Sequence, residues 1–309
     1  MKTLPLFYYP TTVLIVDDDK TLLSALEDIF IGKNKTHSFF SALDCINFLK
    51  DYIVPSYHQK LLQSIDNENG ILLQNSPVDF DVTSLSSISN NPERHNEVSV
   101  ILLDYGMPNL NGFEVAKNSK NQQIHKILLT GKALESEAIE GFNNNLIDRF
   151  IQKGREDTEE KILQYIDELM LSYFNKLSLP LLSHLETDHS FPQSDEIFIN
   201  FFLDLCKKRN ITEFYLIDKH GSYLCIDKEG KKFFLVIHSD YSIDFWMSLN
   251  KDGLSETQNA DIQSRKRIPF FGMKQEAWEV EQNKWDKYLH ASSCLEGGRE
   301  TYYWAIIES

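Results

Sequence analysis

Five polar side chains stand where short apolar runs of the sequence end. Asp17 and Asp18 follow the run TVLIV, and Asp104 follows SVILL. Thr130 and Lys153 come directly after two later runs, KILL and RFIQ. Clustered carboxylates suit a hard cation such as Mg²⁺, which also takes water and phosphate oxygens as ligands. A lysine and a hydroxyl beside them can pair with an anion, so this set predicts a charged binding site.

The runs that carry these residues alternate with helical patterns. Short apolar runs rich in β-branched residues predict buried strands, and amphipathic spacing predicts helices between them. Such alternation predicts a parallel sheet with helices on both faces, in which ligands bind at the carboxyl ends of the strands. The five side chains are therefore expected to converge. The predicted strands are residues 12–16, 38–40, 99–103, 126–129 and 149–152.

Four segments of this half resemble the signature segments of the response-regulator receiver family of two-component signalling. They are VLIVDDD, LLDYGMPNLNGFEVA, ILLTGK and FIQKG, and the match covers roughly residues 13–174, apart from the insertion. The pattern D-x-x-M-P-x-x-x-G, from Asp104 to Gly112, is the most specific of them. The resemblance implies a five-stranded, parallel, doubly wound α/β fold with the strand order 2-1-3-4-5.

The same resemblance implies a nucleophile and a metal site. Asp104 resembles the family's phosphoacceptor, which forms an aspartyl phosphate. Asp17 and Asp18 resemble the acidic pair that holds Mg²⁺ together with Asp104, and the backbone carbonyl of Gly106 would be a further ligand. The alternative for the three consecutive aspartates is a helix N-cap, a position that Asp favours.

The resemblance also implies a phosphate contact and a switch. Lys153 would pair with a phosphoryl oxygen, and Thr130 would donate its hydroxyl to the bound phosphoryl group. Phe150 matches the family's aromatic switch position and would follow Thr130. One residue departs from the pattern, because Gly154 stands where the family usually has proline. A different loop geometry after Lys153 is expected there.

The predicted domain plan has three parts. Residues 1–177 form the receiver domain, with a polar insertion at about 56–97 and a short helix near 59–65. The insertion is either a tolerated loop extension or a docking or gating element. Residues 178–194 form a linker, and residues 195–309 form a smaller α+β domain with an antiparallel meander. Helices are also expected at about 134–143, 243–249 and 274–288.

The helix predicted from about residue 157 carries an apolar stripe with heptad-like spacing. Two interpretations stay open. Either the stripe packs on its own sheet, or the distal end of the helix pairs with a second copy of the chain. The stripe consists of Ile162, Ile166, Leu169, Tyr173 and Leu177.

The second half carries no motif of a known effector. We therefore expect a phosphorylation-switched regulator whose second domain binds a protein or forms a homodimer, with no enzyme activity beyond self-phosphorylation. A transcriptional regulator with a non-standard DNA-binding domain, and an output domain with its own ligand-sensing or enzymatic activity, are the alternatives. The net charge of −15 argues against nucleic-acid binding. The expected phosphodonor is a sensor histidine kinase or a phosphotransfer protein.

Composition predicts the compartment. The four cysteines are scattered, with no metal-binding pair, which is typical of reduced thiols in the cytoplasm. No apolar run is long enough to span a bilayer, so no membrane contact is expected. The start, MKTLPLFYYPTT, lacks an apolar core with a cleavage site, and we expect no signal peptide.

Overall fold

The computed structural model describes residues 3–54, 82–119, 123–131, 139, 141–185, 191–273, 275 and 277–308. The strands are β1 (Phe7–Tyr8), β2 (Thr12–Val16), β3 (Thr36–Phe39), β4 (Val98–Asp104), β5 (His125–Thr130), β6 (Arg149–Gln152), β7 (Ile211–Leu216), β8 (Tyr223–Asp227), β9 (Lys232–Ser239), β10 (Arg267–Pro269), β11 (Leu289–Ala291), β12 (Ser293–Glu296) and β13 (Thr301–Glu308). The helices are α1 (Lys20–Ile29), α2 (Ala42–Asp51), α3 (Thr83–Ser86), α4 (Gly112–Asn118), α5 (Thr158–Leu185), α6 (Glu196–Arg209), α7 (Asp240–Asn250) and α8 (Glu256–Gln263).

These residues form two compact units. The parallel unit comprises Tyr9–His58 and Asn91–Leu177. The antiparallel unit comprises Met1–Tyr8, Gln59–Asn90 and Ser178–Ser309.

The parallel unit is built on a five-stranded sheet with the order β3-β2-β4-β5-β6. All four pairings between these strands are parallel. Every residue of β2, β4 and β5 is buried, as expected for strands of a parallel sheet that is covered on both faces. The predicted five-stranded parallel fold, with the first strand between the second and the third, is confirmed.

Polar caps begin the helices that follow these strands. The Asp19 side chain accepts hydrogen bonds from two backbone amides of the first turn of α1, and Ser41 accepts one at the start of α2. Asn111 does the same for α4 through the amide of Glu114. Such caps satisfy amides that have no partner within the helix. Each helix therefore begins within a few residues of a strand end and keeps the connecting loop short.

The apolar stripe of α5 is buried within the chain. Its five residues, Ile162, Ile166, Leu169, Tyr173 and Leu177, are at most 8% exposed. This burial favours packing within the chain over pairing of the stripe with a second copy. The helix itself runs for 28 residues and includes Pro180.

The antiparallel unit is built on a six-stranded sheet with the order β1-β7-β8-β9-β13-β12. Strands β7, β8 and β9 form the predicted meander, and β13 pairs antiparallel with β9. Asp195 caps α6 through the amides of Ile197 and Phe198, and Asn210 ends the helix in the left-handed conformation. The predicted α+β character of this half is confirmed.

The units divide the chain differently from the predicted domain plan. Strand β1 pairs with β7, and α3 contacts β7, so both elements belong to the antiparallel unit although they flank or interrupt the receiver-like sequence. The first part of the predicted linker, up to Leu185, is helical.

Several other predicted elements have different outcomes. Instead of one helix at 274–288, the chain forms two 3₁₀ helices, Ala277–Glu279 and Gln282–Tyr288. The helix predicted at 59–65 and most of that at 134–143 lie outside the described residues. Within the described part of the chain, no helix has both the length and the apolarity needed to cross a bilayer.

Candidate functional site

The register of the parallel sheet brings the predicted polar residues to one edge. Val16 lies opposite Leu103, so Asp17 and Asp104 are the next residues on neighbouring strands. Asp104 lies opposite Leu129, which directly precedes Thr130. Because all the strands are parallel, their carboxyl ends share one edge of the sheet.

Lys153 joins the two buried aspartates. Its ammonium lies 2.6 Å from Oδ2 of Asp17 and 2.7 Å from Oδ1 of Asp104. The lysine side chain is 22% exposed, against 2% for Asp17 and 8% for Asp104. The ion pairs therefore lie largely out of water, where removal of one partner leaves a costly unpaired charge.

Burial and pairing act in opposite directions on the charges of these groups. Burial lowers the pKa of Lys153, but its hydrogen bonds to Asp104 and Asp17 outweigh that effect and the pKa is raised overall. Burial raises the pKa of Asp17, although Lys153 and the amide of Asp19 oppose the shift. Lys153 thus stays charged, while burial disfavours the charged form of Asp17.

Backbone amides hold the remaining carboxylate oxygens. The amide of Asp19 donates to Oδ1 of Asp17 at 2.9 Å, and the amide of Gly106 donates to Oδ2 of Asp104 at 3.0 Å. Asp19 itself caps α1. The helix-cap alternative is therefore realised by Asp19, while Asp17 and Asp18 remain for the site.

The three acidic residues fit a divalent cation. Asp17, Asp18 and Asp104 each offer a carboxylate oxygen, and these oxygens lie within 4.8 Å of one another. Hard carboxylate oxygens are the ligands that Mg²⁺ prefers. Three carboxylates with the one ammonium of Lys153 leave a formal charge of −2, which a divalent cation balances.

The loop after Asp104 depends on a glycine for its path. A Cβ placed on Gly112 would lie 2.6 Å from the backbone oxygen of Asp104 and 3.0 Å from Cδ1 of Leu128. Only glycine allows this close approach of helix α4 to the end of β4. Asn111 then caps the helix. The sequence motif identified Gly112, but the reason for a glycine there lies in this contact.

The predicted switch residues lie on the last two strands of the sheet. Thr130 ends β5 and is 6% exposed, and its backbone oxygen accepts a hydrogen bond from the amide of Lys153 at 2.8 Å. Phe150 is half-buried on β6 and packs against the core. Gly154 has a φ of 78°, a left-handed conformation that glycine adopts without steric cost. The altered loop expected after Lys153 therefore takes this form.

A solved structure is similar to both units of this chain. The Legionella pneumophila response regulator LqsR matches with a TM-score of 0.76 and 26% sequence identity, covering 99% of this chain and 89% of that chain. No protein-family model and no curated protein was found to match the sequence.

Two further structures match only part of the chain. A CheY-like response regulator receiver domain protein from Methanospirillum hungatei has 16% identity and a TM-score of 0.36, over 54% of this chain and 98% of that chain. An adenylate cyclase from Rhodopirellula baltica has 18% identity and a TM-score of 0.37, over 58% and 99%. Matches this weak carry no argument about function.

Proposed function

We propose, from the premise that the parallel unit is a response-regulator receiver domain, that Asp104 accepts a phosphoryl group and thereby switches a two-component response regulator. One observation carries the proposal. Lys153 bridges Asp104 and Asp17 beside Asp18, so that three carboxylates and one ammonium share one edge of the sheet, which supports a nucleophile, a cation site and a phosphate contact there.

The proposed reaction is a transfer between a phosphohistidine and a carboxylate. An oxygen of Asp104 attacks the phosphorus atom, and the new P–O bond replaces the P–N bond of the donor. The imidazole leaves with the electron pair of that bond and takes up a proton. A sensor histidine kinase or a phosphotransfer protein is the proposed donor. Lys153 exchanges a carboxylate oxygen for a phosphoryl oxygen as the group arrives.

The cation would be held by Asp17, Asp18 and Asp104, with the backbone carbonyl of Gly106 as a further proposed ligand. Bound Mg²⁺ supplies positive charge that offsets the repulsion between the carboxylates and an anionic donor. The chain's own residues then orient the nucleophile. The amide of Gly106 and the ammonium of Lys153 each hold one oxygen of Asp104.

Labelling by a small phosphodonor tests the acceptor. The full chain is incubated with acetyl phosphate and MgCl₂, and intact mass spectrometry detects the added phosphoryl group. We expect labelling of the wild type and none of Asp104→Asn. Asp19→Asn is the matched control, because asparagine caps helices as well as aspartate does. Equal labelling of Asp104→Asn and the wild type would rule out the assignment.

The metal dependence has its own variant. Asp18→Asn removes one carboxylate that is half-exposed and lies beside the buried pair. We expect labelling of this variant to require a higher Mg²⁺ concentration than labelling of the wild type. An unchanged Mg²⁺ dependence would exclude Asp18 as a ligand.

The proposed output is a change of protein contacts. Thr130 would donate its hydroxyl to the phosphoryl group, Phe150 would change rotamer with it, and the antiparallel unit would then form a homodimer or bind a downstream protein. Light scattering of the full chain with and without beryllofluoride and MgCl₂ tests dimerisation. We expect the mass to rise towards that of a dimer, and an unchanged mass would exclude phosphorylation-driven dimerisation.

A further inference from the structure

One buried carboxylate joins three distant segments of the parallel unit. Tyr9 donates a hydrogen bond to Oε2 of Glu97 at 2.5 Å, and Tyr173 donates to Oε1 of the same carboxylate. All three residues have no exposed surface. Glu97 directly precedes β4, so the network lies at the end of the sheet opposite to the Asp104 site. It is therefore separate from the machinery described above.

The three residues lie near three of the places where the chain passes between the two units. Tyr9 is the first residue of the parallel unit. Glu97 follows the return of the chain at Asn91, and Tyr173 lies about one helical turn before the exit at Leu177. Each of these three crossings therefore has Tyr9, Glu97 or Tyr173 close to it in sequence. A single carboxylate connects all three through its two oxygens.

Further contacts join the segments around Tyr9 and Glu97. The rings of Tyr9 and Phe174 meet edge-on at 4.7 Å, and Nδ1 of His95 lies 2.7 Å from the backbone oxygen of Pro10. The hydroxyls of Thr11 and Ser99 lie 2.5 Å apart. These contacts join segments 9–12 and 95–99 side by side. The hydroxyl of Tyr173 gives a polar link from Glu97 to helix α5.

We propose that Tyr9, Glu97 and Tyr173 form a clasp that holds these three chain crossings of the parallel unit in a fixed arrangement. Each oxygen of the Glu97 carboxyl group accepts a hydrogen bond from a different segment, so the group holds both segments next to β4. Loss of one of these hydrogen bonds leaves a buried polar group of Glu97 unsatisfied, which costs more than the bond itself contributes. The proposal does not depend on phosphorylation of Asp104.

Hydrogen exchange of the full chain tests the clasp, without phosphodonor. Tyr173→Phe removes one hydroxyl and keeps the ring. We expect about tenfold faster amide exchange, the effect of losing one such bond, in segments 9–12 and 95–99 as well as in α5 near residue 173. Glu97→Gln is the second variant and should speed exchange in the same three segments. Tyr165→Phe is the matched control on α5, since its half-exposed ring stacks on Arg149 outside the clasp.

The outcomes separate a clasp from an ordinary core contact. Faster exchange in all three segments, with β2, β4 and β5 still protected, supports the proposal. Faster exchange confined to α5 shows that Tyr173 is not coupled to the other crossings and overturns it. Faster exchange across the whole sheet shows that the residues contribute only to global stability and also overturns it.

Discussion

The ammonium of Lys153 lies 2.7 Å from Oδ1 of Asp104, and both side chains are largely buried. The residues are separated by two strands of the parallel unit in sequence, yet the sheet places them in direct contact. The same ammonium also pairs with Asp17. This double pairing predicts a stability effect that is independent of any phosphoryl chemistry.

Replacing Lys153 by methionine leaves two carboxylates with less than a tenth of each side chain exposed and without their cation. We expect the free energy of unfolding to fall by about 3 kcal/mol in EDTA, measured by urea denaturation. Lys117→Met is the control, because Lys117 and its partner Glu114 are 53% and 40% exposed. A loss no greater than that of the control would show that the buried pairs contribute little.

Glu97 predicts a distinct dependence of stability on pH. Burial raises its pKa to about 7 from the ordinary 4.5, against the hydrogen bonds from Tyr173 and Tyr9. The carboxyl group of Glu97 keeps its proton up to a higher pH in the folded chain than in the unfolded chain. The contribution of Glu97 to the free energy of unfolding is therefore fully present below about pH 4.5. It is lost as the pH rises through about 7.

Glutamine at this position does not titrate. Between pH 4.5 and a pH above 7, the wild type should therefore lose about 3 kcal/mol of unfolding free energy relative to Glu97→Gln. This figure follows because each unit of pKa shift corresponds to about 1.4 kcal/mol. Urea denaturation of both proteins at each pH measures this difference, and the comparison cancels the titration of groups that the two proteins share. A difference that does not vary with pH would contradict the prediction.

Gly112→Ala tests the close approach behind Asp104. The added Cβ would lie 2.6 Å from the backbone oxygen of Asp104, so helix α4 or the end of β4 must shift. We expect a loss of about 1–3 kcal/mol in unfolding free energy and slower phosphoryl labelling. Gly131→Ala is the control, because a Cβ there meets nothing within 4 Å. Equal effects of the two substitutions would exclude a steric cause.

Gly154→Pro would restore the residue that the receiver family usually has, yet we expect it to destabilise this chain by more than about 1 kcal/mol. Proline holds φ near −65°, whereas Gly154 has a φ of 78°. Gly154→Asn should be tolerated better, since asparagine visits the left-handed conformation. Thermal denaturation of the two variants gives the order, and a more stable proline variant would contradict the observed loop geometry.

Much of the parallel unit was predictable because its signals are local. The buried strands are continuous apolar runs, and the residues after Val16 and Leu103 could be placed at one sheet edge from the alternation of strands and helices. The motif from Asp104 to Gly112 specified the candidate nucleophile. The meander β7–β9 was predictable for the same reason, from short apolar runs separated by Asp and Gly turns.

Other features depend on contacts between distant parts of the chain. The sequence could not decide which of Asp17, Asp18 and Asp19 caps α1, because all three are aspartates. The choice depends on the path of the chain after β2. The assignment of β1 and α3 to the antiparallel unit depends on their contacts with β7, more than a hundred residues away.

The amino-acid sequence by itself determined the parallel fold, the five candidate site residues and the departure at Gly154, since apolar periodicity and a short motif encode them locally. Only the tertiary structure decided that Lys153 bridges two carboxylates, that Gly112 lies against the backbone of Asp104, and that Glu97 joins Tyr9 to Tyr173. The physical reason is that pairing and burial depend on which distant segments the sheet topology brings together.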